Sequence, residues 1–145
     1  MYRNILIPTD GTVLSEAALV HGLKLAKEAG AKVTVVTVIE PFHVLSTSSA
    51  QISATRMGYH EHVKAEAERY LSEAQIKAKA LGVSCDVVQV EHYHPYQAII
   101  DTAAKKECDL IAMASHGRRG VSALVIGSET LKVLTHSATP VLVYR

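Results

Sequence analysis

The sequence predicts an α/β fold, an open, doubly wound sheet of five parallel strands with helices on both faces. Short runs rich in β-branched residues alternate with longer segments of helical periodicity, which is the order of repeated β-α units. Several of the runs are almost continuously apolar, as expected of strands that are covered on both faces. The predicted strands are residues 4–9, 32–39, 84–91, 109–114 and 140–144. The more mixed composition of residues 84–91 is typical of a strand at a sheet edge.

Four helices are predicted between these strands. The first spans residues 13–29, with Leu19 and Leu23 on one apolar stripe and Gly30 at the place where a left-handed residue ends a helix. The other three are predicted over residues 59–81, 96–106 and 128–136. Each helix returns the chain to the start of the next parallel strand.

Residues 41–58 form the one long stretch without clear periodicity, and the cluster Ser46-Thr47-Ser48-Ser49 predicts a loop there. The loop follows the second strand, at the edge of the sheet where ligands of open α/β folds bind. Two interpretations remain open, a lid over a binding site and a connection without a special role.

Length and composition set limits on the class of protein. The 145 residues suit one domain with one core, predicted over residues 1–145. With 48% hydrophobic residues, 20% charged residues and a net charge of +1, the chain has no strong field for nucleic acid or an acidic membrane, and neither is expected as a partner. There is no signal-peptide pattern and no run near the roughly 20 apolar residues of a membrane span. Cys85 and Cys108 are too far apart for a Cys-x-x-Cys pair and suit a reducing compartment, so we expect a cytoplasmic protein.

The segment after the fourth predicted strand is the richest in chemical possibilities. Residues 115–130 combine three glycines with the hydroxyls of Ser128 and Thr130 around a predicted helix start. Glycine allows close backbone approach, and the amides of a helix start point outward, so a phosphate group would fit. Arg118 and Arg119 either add positive charge or face water. A helix capped by Ser128 after a glycine-rich loop explains the same residues equally well.

Four segments together resemble the universal stress protein family over nearly the whole chain: the opening residues 4–11, the Ala-Ser-His-Gly turn at 114–117, the Gly127-Ser128 pair, and the closing residues 140–143. In the nucleotide-binding branch of that family the motif is Gly-x-x-Gly, nine residues, then Gly-Ser or Gly-Thr. Gly117 and the Gly127-Ser128 pair match it. The first glycine is replaced by Ala114, whose β-carbon is expected to weaken binding without abolishing it.

The resemblance implies a Rossmann-like fold of the adenine nucleotide alpha-hydrolase type that binds ATP or AMP, with or without Mg²⁺. The implied contacts are Pro8, Thr9 and Asp10 at the adenosine end, Val38 through its backbone to adenine, Met113 and Ala114 beside the ribose, and Gly117, Gly127, Ser128 and Thr130 at the phosphates. Asp10 has an alternative role as a turn residue bonded to the amides that follow it. Glu129 would repel a phosphate if it pointed inward, so we expect it to point away.

The sequence lacks Gly-x-Gly-x-x-Gly after the first strand, a P-loop, and the His-x-Gly-His and Ser-Gly-Gly-x-Asp-Ser motifs of adenylylating enzymes of related fold. No catalytic residue is predicted. The leading interpretation is a nucleotide-binding stress sensor or adaptor. A slow ATPase and a nucleotide-free interaction module, the latter favoured by Ala114, remain as alternatives.

Two further predictions concern partners. The apolar strand Val141–Tyr144 at a sheet edge predicts a homodimer, a contact that the family resemblance also implies, and an additional protein partner cannot be identified from sequence. The pairs His60-x-His62 and His92-x-His94 are candidate metal ligands, the second if both lie on one strand face. Exposed histidines near a loop explain them better, and no metal site is predicted.

Overall fold

A computed structural model describes residues 1–41, 49–117 and 126–145, without the side chains of residues 49–55. Its elements are β1 (Asn4–Pro8), α1 (Val13–Ala29), β2 (Lys32–Ile39), α2 (Ser49–Leu81), β3 (Cys85–Glu91), α3 (Pro95–Lys105), β4 (Leu110–Ala114), α4 (Ser128–His136) and β5 (Val141–Tyr144). The strands form one sheet in the order β3-β2-β1-β4-β5, and every neighbouring pair is parallel. The predicted fold class is confirmed.

The central strand β1 explains why helices cover both faces of the sheet. Its side chains alternate, so Ile5 and Ile7 enter one apolar cluster and Leu6 enters the other, all three without solvent exposure. The first cluster contains Leu19 of α1 and residues of α2, and the second contains Ile99 of α3 and Val133 of α4. The doubly wound arrangement follows from this two-sided burial.

The sheet edges lie where the sequence predicts them. β3 occupies one edge and alternates between exposed and half-buried residues. β5 occupies the other, with Leu142 38% exposed. The apolar last strand therefore leaves one side of its backbone outside the described sheet.

Helix α1 begins and ends at the residues that the pattern predicts. The Thr12 side chain accepts a hydrogen bond from the Ser15 amide, and Gly30 adopts φ 66°, the left-handed conformation that favours glycine. Both ends thus satisfy backbone groups that the helix itself leaves unpaired.

Helix α2 corrects the sequence prediction, because it begins at Ser49 and not near residue 59. The expected loop over residues 41–58 is therefore wrong for residues 49–58, while residues 42–48 lie outside the described residues. The predicted loop ends at Gly58, yet an isolated glycine inside a helix costs only about 1 kcal/mol, and a β-carbon added there would meet nothing within 4 Å. Neighbouring helix formers such as Arg56 and Met57 outweigh that cost. Despite the length of α2, none of the described helices is both long and apolar enough to cross a membrane.

Candidate functional site

A cleft of about 640 Å³ lies at the carboxyl edge of the sheet, where the strand order reverses around β1. The ends of β1, β2 and β4 form its floor, and α2 together with the first turns of α3 and α4 forms its walls. All the predicted contacts line it: Pro8, Thr9, Asp10, Val38, Met113, Ala114, Gly117, Gly127, Ser128 and Thr130. Its volume lies in the range of pockets for small molecules and cofactors.

The end of β2 offers backbone groups to the cleft. β1 stops at Pro8, opposite Val36, whereas β2 continues to Ile39. Val36 accepts from the Thr9 amide on the β1 side, and the carbonyl of Ile39 accepts from the His92 amide on the β3 side. Because successive residues of a strand point their backbone groups to opposite sides, Val38 points its amide and carbonyl toward the space beyond β1. This is the position in which a flat heterocycle could take the place of a further β1 residue.

The turn after β1 is organised by Asp10. Its Oδ1 accepts hydrogen bonds from the amide of Thr12 at 3.0 Å and from the Thr12 hydroxyl at 2.6 Å. The structure thus assigns Asp10 the turn role that was the alternative at the level of sequence. Its Oδ2 lies so close to Gly117 that a β-carbon at position 117 would collide with it. Gly117 therefore has a packing reason to be glycine, independent of any ligand.

Thr9 belongs to a buried polar network that holds β1 against its neighbours. Its hydroxyl donates to Glu16 Oε1 at 3.3 Å, and its carbonyl accepts from the Thr37 hydroxyl at 3.1 Å. Glu16 is in turn paired with Lys77 of α2, with Oε2 and Nζ 2.5 Å apart. Thr9 therefore stabilises the lining of the cleft, and its hydroxyl points into the protein toward Glu16.

The start of α4 is fixed by a tight crossing of two backbone segments. The Gly127 amide donates to the Ser115 carbonyl at 2.7 Å, and a β-carbon on Gly127 would lie 2.9 Å from His116 Cβ. Ser128, the first residue of the helix, is exposed at the cleft. The amides of this first turn have no partner within the helix, which makes it suited to an anion.

The Thr130 hydroxyl has a partner within the protein. Thr130 is only 2% exposed, and its hydroxyl donates to the Ala114 carbonyl at 2.9 Å. With its proton used there, the hydroxyl has only lone pairs to offer, and a phosphate needs donors. The side chain thus ties α4 to β4, and the contact from the Thr130 hydroxyl to phosphate stays a prediction.

Met113 and Ala114 end β4, where they pair with Val143 and Tyr144 of β5. Met113 packs into the core shared with α3 and α4. Ala114 is buried at the cleft floor, and its added methyl group, compared with the motif glycine, is accommodated in a regular parallel pairing.

Glu129 lines the cleft, but its carboxylate is held by other groups. Oε2 accepts from the Tyr96 amide at 2.8 Å, and Oε1 lies 3.4 Å from Lys132 Nζ. His94, the N-cap residue of α3, makes no side-chain cap bond, so Glu129 provides the acceptor that the start of α3 requires. The expectation that Glu129 points away from the cleft holds only in part, because the first turn of α3 itself borders the cleft.

Sequence reasoning missed the wall formed by α2. Tyr59, His62, Glu66 and Tyr70 all line the cleft, and the Tyr70 hydroxyl donates to Glu66 Oε2 at 2.8 Å. Hydrogen bonds from Arg69 and then Tyr70 lower the pKa of the Glu66 carboxyl, so it is anionic at neutral pH. Their spacing of three or four residues places them on one helix face, and this polar periodicity was the signal available in the sequence.

The pair His92-x-His94 and the two cysteines do not line the cleft. β3 ends at Glu91, so His92 and His94 follow the strand and do not share one of its faces, and the His94 amide donates to His92 Nδ1 at 2.8 Å. Within residues 1–41, 49–117 and 126–145 there is no group of three potential metal ligands.

Burial, with a smaller effect of Asp86, raises the pKa of the Cys85 thiol to about 11. Burial likewise raises the pKa of Cys108, so both thiols stay protonated at neutral pH.

Comparison with known proteins agrees with the fold. The model of the "Universal stress protein family" matches residues 1–145. A universal stress protein of Methanocaldococcus jannaschii is 30% identical over all of this chain and 83% of its own length. A universal stress protein family structure from Burkholderia pseudomallei superposes with a TM-score of 0.76 at 26% identity, covering 99% of this chain and 96% of that one. A universal stress protein structure in complex with cAMP gives a TM-score of 0.71 at 26% identity, covering 99% and 97%. By a family match that spans the full sequence, this chain belongs to the universal stress protein family.

Proposed function

We propose that the protein binds an adenine nucleotide, AMP or ATP, in the cleft and acts as a stress-response sensor or adaptor. The observation that carries the proposal is the convergence of all ten predicted contacts on one cleft at the reversal point of the sheet. A solved relative of 26% identity in complex with cAMP supports a ligand of this class.

The two ends of the cleft match the two ends of such a ligand. Adenine would bind the backbone of Val38 beyond the end of β1, where it can both accept and donate hydrogen bonds. The phosphate would bind the first-turn amides of α4 and the Ser128 hydroxyl. The ribose would then lie over Ala114, whose methyl group we expect to lower affinity compared with glycine.

Slow nucleotide hydrolysis is the second candidate. Asp10, His116 and Glu129 line the cleft, and any of them could polarise a water molecule. The turn holds Asp10 and the start of α3 holds Glu129, which leaves them less free to move with a reacting group. We therefore propose binding as the function, with Mg²⁺ as an accompanying ion for ATP, and name no catalytic residue.

We further propose a cytoplasmic homodimer joined through the edge strand β5. Leu142 is exposed on that strand, and an exposed apolar edge tends to pair with a second strand. Light scattering on the parent protein and on Leu142→Lys tests the dimer. We expect the parent protein to be a dimer and the substitution to dissociate it. A monomeric parent protein would contradict the proposal.

Calorimetric titration with AMP, ADP and ATP, each with and without Mg²⁺, tests the main proposal. The protein must first be shown to carry no bound nucleotide. We expect saturable micromolar binding that Gly127→Ala weakens, because its β-carbon would displace the backbone at His116. Gly58→Ala is the matched control, since a β-carbon there meets nothing within 4 Å. Folded protein that gives no heat with any nucleotide would overturn the proposal, and ADP or AMP appearing steadily from ATP would favour slow hydrolysis.

A further inference from the structure

Glu129 places a negative charge in the lining of the cleft, next to the proposed phosphate site at Ser128. It immediately follows Ser128, the residue proposed to bind the first phosphate group. Its carboxylate reaches across to the first turn of α3, where Oε2 lies 2.8 Å from the Tyr96 amide. Pro95 and Ile99, on either side of that turn, line the cleft together with Glu129. A phosphate chain that extends from Ser128 toward α3 would therefore approach this carboxylate.

The carboxylate also occupies the feature of α3 that would otherwise attract an anion. A helix start presents unpaired amides and the positive end of the helix dipole. One of these amides, that of Tyr96, is already bound by Glu129. The first turn of α4 can still bind one phosphate group. The first turn of α3 is already bound by the Glu129 carboxylate, which carries the same sign of charge as a second phosphate group would.

Lys132 compensates this charge only weakly. Its Nζ lies 3.4 Å from Glu129 Oε1 and 5.4 Å from the centre of the Tyr96 ring, and its side chain is 47% exposed. Ion pairs at such exposed positions contribute little, because water and salt screen them. Lys132 is also absent from the lining of the cleft, whereas Glu129 belongs to it.

We propose that Glu129 is a specificity residue that favours nucleotides with a single phosphate group over nucleoside di- and triphosphates. The inference rests on the proposed nucleotide function and narrows its ligand class. AMP, or a cyclic monophosphate, would end at Ser128 and the start of α4. The β- and γ-phosphates of ATP would add negative charge next to a fixed carboxylate, and each would be disfavoured by repulsion.

The decisive variant is Glu129→Gln, compared with the parent protein by calorimetric titration of AMP and ATP in the absence of Mg²⁺. Glutamine keeps an oxygen that can accept from the Tyr96 amide, so α3 stays in place while the charge disappears. A unit charge within about 8 Å of the distal phosphates, in a partly solvated cleft, changes affinity by roughly three- to tenfold. We expect the ratio of the AMP Kd to the ATP Kd to rise by that factor, with the AMP Kd itself little changed.

Two controls separate charge from position. Glu68→Gln makes the same change in net charge on the exposed face of α2, away from the cleft, and should leave the ratio unaltered. Glu129→Ala removes both the charge and the hydrogen bond to the Tyr96 amide of α3, so it should lower the affinity for AMP as well. High salt should reduce the preference of the parent protein for AMP, because the Debye length falls from about 10 Å at 0.1 M to about 3 Å at 1 M.

The outcomes distinguish this inference from the proposed function. AMP binding with the same AMP-to-ATP ratio in the parent protein and in Glu129→Gln would overturn the role of Glu129 and leave nucleotide binding intact. If Glu129→Gln lowered the affinities for AMP and ATP equally, Glu129 would act only by positioning α3. That result would also overturn specificity by charge. Absence of any nucleotide binding by the folded parent protein would remove both proposals together.

Discussion

The two ends of the cleft are built by different means. At the end of β1, side chains hold the shape: Asp10 bonds to Thr12, and Thr9 is joined to Glu16 and, through its carbonyl, to Thr37. At the start of α4, backbone holds the shape, because the absence of a side chain lets Gly127 cross directly beside His116. The first end is thus rigid with most of its polar side chains turned inward. The second leaves amides and a hydroxyl exposed, which predicts that stability and binding respond to different substitutions.

The largest effect on stability is expected from Gly11→Ala at the rigid end. Gly11 has φ 78°, and a β-carbon there would collide with the Tyr70 ring of α2. The positive φ costs about 1 kcal/mol and the collision about 1–3 kcal/mol more, so the free energy of unfolding should fall by roughly 2–4 kcal/mol in urea titrations. Gly30→Ala is the matched control, because Gly30 has φ 66° but a β-carbon there would meet nothing within 4 Å. This variant should lose only the roughly 1 kcal/mol that the positive φ costs. Equal losses in the two variants would show that Tyr70 does not restrict this turn.

Thr130→Val should break the link between α4 and β4. The substitution keeps the shape of the side chain but removes the donor to the Ala114 carbonyl, at a position that is almost fully buried. An unsatisfied buried carbonyl costs about 1–3 kcal/mol, and thermal or urea unfolding should show a loss of that size. Thr135→Val, which removes a similar bond on the exposed side of α4, should cost much less. A Thr130→Val variant of unchanged stability that no longer binds nucleotide would instead support the predicted contact between the Thr130 hydroxyl and a phosphate.

Ser128→Ala, at the same helix start, should change nucleotide binding more than stability. Ser128 is exposed, so we expect its removal to change the free energy of unfolding by less than about 0.5 kcal/mol. Loss of a hydrogen bond to a charged phosphate should nevertheless weaken AMP binding by roughly tenfold or more, measured by calorimetry. Unaltered affinity would mean that the backbone amides alone bind the phosphate.

The smallest effect concerns the edge of the sheet opposite the cleft. Burial by itself would raise the pKa of the Asp109 carboxyl, but hydrogen bonds from the amides of Asn4 and Arg3 outweigh it and hold the pKa below its ordinary 3.8. Because the folded-state pKa is the lower one, this stabilisation is present above pH 3.8 and is lost as the pH falls through the folded-state value. Urea midpoints measured from pH 6 to 2.5 should fall more steeply for the parent protein than for Asp109→Asn. Parallel curves would show that these amides do not stabilise the ionised carboxyl.

Much of the fold could be predicted because it depends on local pattern. The apolar run of residues 32–39 and the apolar stripe of α1 are periodic features that tertiary contacts reinforce. The start of α2 could not be predicted in the same way. Ser49 and Gly58 have weak helix propensity, and packing along the rest of a 33-residue helix outweighs such preferences.

At the site, the sequence by itself determined that the ends of β1, β2 and β4 gather at one edge, because parallel strands all present their carboxyl ends at the same edge and the turns that follow them must meet there. Only the tertiary structure decided what each side chain does. Thr130 donates inward to Ala114, Glu129 binds the start of α3, and Gly117 makes room for Asp10. Each of these contacts joins residues that are at least 16 positions apart in the sequence. Bonds of this kind depend on distances set by the packing of whole elements, and no local pattern in the chain encodes them.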